Sequence, residues 1–152
     1  MKKTFLLLSA LFLIIASCKK DNSAAAQAAA DDTAIKAYIA ANNITAIKDP
    51  SGLYYQILTD GSGANPTVKS TVDVNYTGKL LNGSVFAPTA NLSSPLSGLI
   101  QGWQIGIPYA KAGGRILLII PSALGYGSSS PGASIPANSV LVFTIDLLSF
   151  SN

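Results

Sequence analysis

A chain with no histidine and no glutamate lacks most of the side chains that move protons or form covalent intermediates. Its seven Asp are scattered, none in the spacing of a calcium loop, and the adjacent pair Asp31-Asp32 reads as the front of a helix. The single Cys is Cys18, and without imidazole the usual zinc ligand sets are missing too. Acid–base, covalent and metal mechanisms are therefore not expected, and neither is a cofactor. What remains is aromatic. Val74-Asn75-Tyr76-Thr77-Gly78, Ile100-Gln101-Gly102-Trp103, Gly125-Tyr126-Gly127 and Val140-Leu141-Val142-Phe143 each set an aromatic ring among Gly or β-branched neighbours. With Leu99, Ile100 and Ile135 these rings could build an apolar, concave pocket. Taken singly, Trp103, Tyr76 and Phe143 are ordinary core residues. Tyr126 is not, because a loop position between two glycines has little structural use for a phenol.

The elements that must position these rings read as strands and one short helix. Leu53 to Leu58 is a short strand closed by Asp60-Gly61-Ser62-Gly63. Thr71 to Gly78 alternates, with Val72, Val74 and Tyr76 on one face and Asp73, Asn75 and Thr77 on the other. It continues through Lys79 to Leu81 into Asn82-Gly83, a strong hairpin signal, and Ser84-Val85-Phe86 returns. Arg115 to Ile120 is an almost wholly apolar strand stopped by Pro121, and Ser139 to Phe150 is a long terminal strand. Leu99 to Ile107 reads as a short helix that Gly102 and Gly106 weaken and Pro108 ends. These elements predict an α+β domain, one short helix packed on an antiparallel sheet. Pro121 to Asn138 is a long connection rich in Gly, Ser, Pro and Ala that retains Leu124, Tyr126 and Ile135. Connections of this length in compact domains carry function when they are not disordered.

The N-terminus reads as an address. Lys2-Lys3 gives a basic n-region, and Phe5 to Ala16 an apolar run too short to span a bilayer, which takes about 20 residues. Ile15-Ala16-Ser17-Cys18 has the form of a lipobox, so residues 1–17 are expected to be a lipoprotein signal peptide and Cys18 the lipidated residue. Several acyl chains make a stable anchor, which places the protein in the cell envelope. The alternative is an ordinary signal that happens to end near a Cys. Residues 18–50 would hold the lipidated Cys, an Ala-rich, partly helical tether from 19 to 30, and a short helix begun by Asp31-Asp32-Thr33 and ended by Asn42-Asn43. That helix would cap the main domain, residues 51–152, with Ile35, Tyr38 and Ile39 on one face. The formal charge of +3 includes Lys2 and Lys3; without them about +1 remains, too little for a nucleic-acid footprint.

In these motifs the chain resembles the FKBP-type peptidyl-prolyl cis-trans isomerases, from about Gly52 to Phe150, with the pieces in family order. Val74–Gly78 is similar to the strand entering the family's pocket, Gly83-Ser84-Val85-Phe86 to the strand with a wall phenylalanine, and Leu99–Trp103 to the helix start with the tryptophan floor. Pro121 through Gly127 resembles the loop with a ligand-facing tyrosine, and Ile135–Ser139 with Leu141-Val142-Phe143 the closing loop and last strand. The resemblance implies an antiparallel sheet curved around one short helix. It implies that a substrate proline stacks on Trp103, between walls formed by Tyr76, Phe86 and Phe143 and a rim of Leu99 and Ile135. The Ile100 N–H and the Tyr126 hydroxyl would donate to substrate carbonyls. Proline-containing polypeptides are the implied partners, a macrolide a further ligand, and a monomer the favoured state. The alternative is a non-catalytic holdase or peptide-binding lipoprotein on the same fold. One departure bears on both readings: the family usually carries Asp after the wall phenylalanine, paired with an Arg, and this chain has Ala87, with Arg115 its only arginine.

Overall fold

The computed structural model describes residues 19–152, with side chains from residue 23 onward; the expected signal peptide, residues 1–17, and Cys18 lie outside the described residues. A single antiparallel sheet of six strands, in the order β1-β2-β5-β6-β3-β4, organises the molecule. The strands are β1 (Ile47–Lys48), β2 (Tyr54–Thr59), β3 (Thr71–Leu80), β4 (Val85–Pro95), β5 (Gly114–Ile120) and β6 (Leu141–Ser151). Two α-helices, α1 (Lys19–Ala41) and α2 (Gln101–Gly106), lie on opposite faces of it. The α+β architecture is the one expected.

Alternation along β5 explains its unbroken apolar text. Ile116, Leu118 and Ile120 enter the main core with Trp103 and Ile107, while Leu117 and Ile119 enter a second cluster with Ile35. A strand covered on both faces has no polar side to show. Gly102 and Gly106, which weaken a helix taken alone, fall on one face of α2: a Cβ at Gly102 would stand 2.5 Å from Ile120 Cγ2, and one at Gly106 2.6 Å from Leu118 Cδ2. The two glycines let the helix approach the sheet closely, and they hold the ring of Trp103 over it.

The N-terminal segment departs from the tether-plus-helix expectation. The Ala-rich run and the Asp31 segment form one continuous helix, because six alanines between 24 and 30 favour helix and nothing in the run breaks it. Its second half packs on the back of the sheet through fully buried Ile35, with Tyr38 and Ile39 beside it; burying one such isoleucine contributes about 1.5–3 kcal/mol. Asp32 joins α1 to the sheet by accepting from Lys48 Nζ (2.6 Å) and the Tyr54 hydroxyl (2.7 Å). β1 was not expected; it pairs with β2 and so belongs to the sheet although it precedes residue 51. β4 also runs nine residues past Phe86, pairing with β3 as far as Pro95 opposite Thr71. α2 is shorter than the expected Leu99–Ile107, because Leu99 and Ile100 are extended and Ile107 begins a 3-10 turn, Ile107–Tyr109. No helix among the described residues is long and apolar enough to cross a membrane.

Candidate functional site

Four strands and loops converge on the N-terminus of α2. The backbone turns from extended at Leu99 and Ile100 into the helix, where Trp103 N–H donates to the Ile100 carbonyl (2.9 Å). Gln104 steadies that turn by donating from Nε2 to the Leu99 carbonyl (2.7 Å). The geometry points Trp103 into a ring of aromatics. Its indole stands edge-to-face with Tyr76 of β3 (centroids 5.0 Å, 84°) and with Phe143 of β6 (5.2 Å, 87°). Phe143 in turn meets Phe86 of β4 edge-to-face (5.5 Å, 80°) and lies 6.1 Å from Tyr76. Edge-to-face pairs contribute about 0.5–1.5 kcal/mol each beyond burial, so the four rings fix one another. Phe86 reaches the group over Gly78, where a side chain would collide with it. Trp103 and Phe143 are each only 3% exposed, and the indole N–H is buried without a hydrogen-bond partner among the described residues.

The rings floor and wall a cavity of about 220 Å³. The connection after β5 supplies its far side. A 3-10 turn, Ser122–Leu124, brings the chain round, and the Ser122 carbonyl accepts the N–H groups of Gly125 (3.0 Å) and Gly127 (2.8 Å). These bonds bracket Tyr126, which is 38% exposed and leans over the cavity mouth. Ser130 Oγ donates to the Ile135 carbonyl (2.6 Å), and Asn138 N–H to the Gly127 carbonyl (2.7 Å), so the long connection is tied to itself and Ile135 is held at the rim.

The eight residues named from the sequence, Tyr76, Phe86, Leu99, Ile100, Trp103, Tyr126, Ile135 and Phe143, all line this one cavity. Two further lining residues are Ala87 and Leu92. Ala87 was singled out only as a departure. Leu92 was missed because the strand pattern faded after Phe86; its place follows from pairing directly opposite Val74. No charged side chain among the described residues lines the cavity. Among the described residues the Ile100 backbone N–H and the Tyr126 hydroxyl have no acceptor, leaving two donors at an apolar opening. Arg115 is engaged elsewhere, in a two-pronged contact with Asp146 (2.6 and 2.9 Å), and is not among the residues that line the cavity. Such a site can hold an apolar ring and two carbonyls, and it can exclude water.

This geometry has close counterparts. A probable FKBP-type peptidyl-prolyl cis-trans isomerase of Haemophilus influenzae is 43% identical over 102 residues, 64% of this chain and 42% of that protein. The outer membrane protein MIP of Legionella longbeachae is 39% identical over 104 residues, 66% of this chain and 45% of that protein. The chain thus spans less than half the length of these curated relatives. The crystal structure of FkpA from Escherichia coli superposes with a TM-score of 0.72 at 34% identity, covering 88% of this chain and 63% of that one. Residues 63–148, more than half of the sequence and all of the cavity's walls, match the family model for FKBP-type peptidyl-prolyl cis-trans isomerases, and the chain belongs to that family.

Proposed function

We propose that this protein is a peptidyl-prolyl cis-trans isomerase of the bacterial cell envelope, anchored by lipid at Cys18, that speeds the folding of exported proteins. The observation that carries the reading is the aromatic cavity with no charged lining and two unpaired donors at its mouth. Rotation about an X-Pro amide faces a barrier of about 18–20 kcal/mol and takes tens to hundreds of seconds unaided, yet it makes no bond and needs no acid, base or nucleophile. The planar amide is charge-separated and stabilised by water; twisting removes that resonance and much of the dipole. An apolar cavity therefore penalises the planar form more than the twisted one. The proline ring rests on Trp103 between Tyr76, Phe86 and Phe143, and the Ile100 N–H and Tyr126 hydroxyl hold the flanking carbonyls. Lowering the barrier by about 4–5 kcal/mol gives roughly a thousandfold acceleration.

A second reading, a pocket that grips proline-containing segments without turning them, rests on Ala87. The site lacks a carboxylate to accept a substrate N–H, and the Tyr126 hydroxyl oxygen is the side-chain acceptor left among the described lining residues. A macrolide would meet the same apolar walls and the same lack of a carboxylate. Cis/trans exchange on an X-Pro peptide, measured by NMR with wild type and Phe143→Ala, separates the readings. Exchange that is fast in wild type and lost in the variant supports the isomerase; peptide binding with no exchange supports the gripping module and rejects the isomerase.

A further inference from the structure

We infer that Asp31, carried on the N-terminal helix, is a positioning residue for the pocket loop, setting the place of Tyr126 through Ser122. The inference rests on the isomerase reading for its effect on rate, but not for the geometry. Asp31 is 3% exposed and Ser122 2%, and they are 91 positions apart in the chain. Asp31 Oδ2 accepts both the backbone N–H (2.8 Å) and the hydroxyl (2.7 Å) of Ser122. Its Oδ1 accepts from Gln27 Nε2 one turn earlier on α1 (2.7 Å). The Ser122 carbonyl then receives the N–H groups of Gly125 and Gly127, the two neighbours of Tyr126. A continuous relay of hydrogen bonds thus runs from the helix to the backbone on both sides of the phenol.

Docking the helix does not require this arrangement. Ile35 and Asp32 already fasten α1 to the back of the sheet, and the lysines there pair with Asp32 rather than Asp31. A buried carboxylate with no cation beside it costs stability unless several donors satisfy it. Here three do, and two come from the residue that starts the pocket loop. Charge-assisted bonds are the stronger and more directional kind, which suits a group that must hold a loop in one place. Placement of a donor to within about 0.5 Å matters for such a site. The helix nearest the anchor is in this way part of the pocket's second layer of support.

The test uses the full chain in detergent, with Tyr126→Phe introduced into both wild type and Asp31→Ala. Asp31→Ala is expected to lower kcat/KM for an X-Pro peptide by about tenfold, the loss that goes with one misplaced hydrogen bond. Adding Tyr126→Phe to it should then cost little more, and amide exchange at Gly125 and Gly127, followed by NMR, should quicken. Asp31→Asn, whose amide oxygen still accepts from Ser122, should recover most of the loss. If Tyr126→Phe costs the same factor with and without Asp31, or if Gly125 and Gly127 stay as protected as in wild type, the positioning role is wrong. Should Asp31→Ala fail to fold, Ser122→Ala removes the hydroxyl bond alone and is read by the same amide exchange. That readout needs no substrate, so an inactive wild type would reject the isomerase reading while leaving this one decided.

Discussion

Phe86 packs against the bare backbone of Gly78: a Cβ there would stand 2.4 Å from Cε2 and 2.7 Å from Cζ of its ring, and 2.9 Å from Cε1 of Phe143. Neither ring can yield without opening the aromatic group. Gly78→Ala is expected to destabilise the protein by about 1–3 kcal/mol, the usual cost of overpacking. Because Phe86 sits at the cavity wall and is only partly buried, it is the group that will swing out. Peptide exchange should therefore fall more steeply than stability. Unfolding in denaturant, run beside exchange kinetics, checks both, and a variant with unchanged exchange would contradict the packing argument.

The sequence made the cavity more legible than its supports. Four aromatics set among Gly or β-branched residues, Tyr76, Trp103, Tyr126 and Phe143, could be picked out with Leu99, Ile100 and Ile135 from the stretches that carry them, whereas Phe86 came from the family resemblance. Gly102 and Gly106 were read as helix weakeners because propensity is local, whereas their use is to let Ile120 and Leu118 close on α2. The extension of β4 through Leu92 was hidden since edge-strand residues such as Asn91, Ser93 and Ser94 carry no apolar alternation. Asp31 looked like a helix-start residue, and only the fold brings it to Ser122. Long-range polar pairs leave no periodicity to read.

The Tyr126 hydroxyl has no partner among the described residues and the residue is 38% exposed, so removing the oxygen should leave the fold alone. Tyr126→Phe is expected to lower kcat/KM about three- to tenfold, the range for one net hydrogen bond. Its thermal midpoint should match wild type. A drop in thermal midpoint with unchanged kcat/KM would mean that the hydroxyl supports the loop and not the substrate.

Acid should weaken the fold through the contacts of Asp32 and Asp49. Hydrogen bonds from Lys36, then Lys48, then the Tyr54 hydroxyl hold the Asp32 carboxyl well below the usual carboxylate range. Asp49 is also lowered, first by Ser51 and then by the Tyr109 hydroxyl. A carboxyl depressed in the folded state stabilises fully above its unfolded value of about 4 and loses that contribution as pH falls through the folded value. The urea midpoint should thus be flat from neutral pH down to about pH 5 and fall below about pH 4. Asp32→Asn should be less stable than wild type at pH 7 and closer to it at pH 3. An unchanged difference at the two pH values would remove Asp32 as the source.

Ala87 offers the sharpest chemical test, because no carboxylate stands among the described residues that line the cavity. Ala87→Asp would add an acceptor for a substrate N–H, fixing the orientation of a segment that the rings merely enclose. Turnover on an X-Pro peptide should rise, with wild type as the reference and Ala87→Asn as the uncharged control. The new carboxyl would have no cation to meet it, since Arg115 is engaged by Asp146. Burial against Leu92 and Phe86 should therefore raise its pKa. The gain in Ala87→Asp should accordingly grow with pH as the carboxylate ionises, while wild type, with no titrating carboxyl or imidazole in the cavity, stays level across the same range. Equal exchange rates for Ala87→Asp and wild type at every pH would show that orientation at this wall does not limit the reaction.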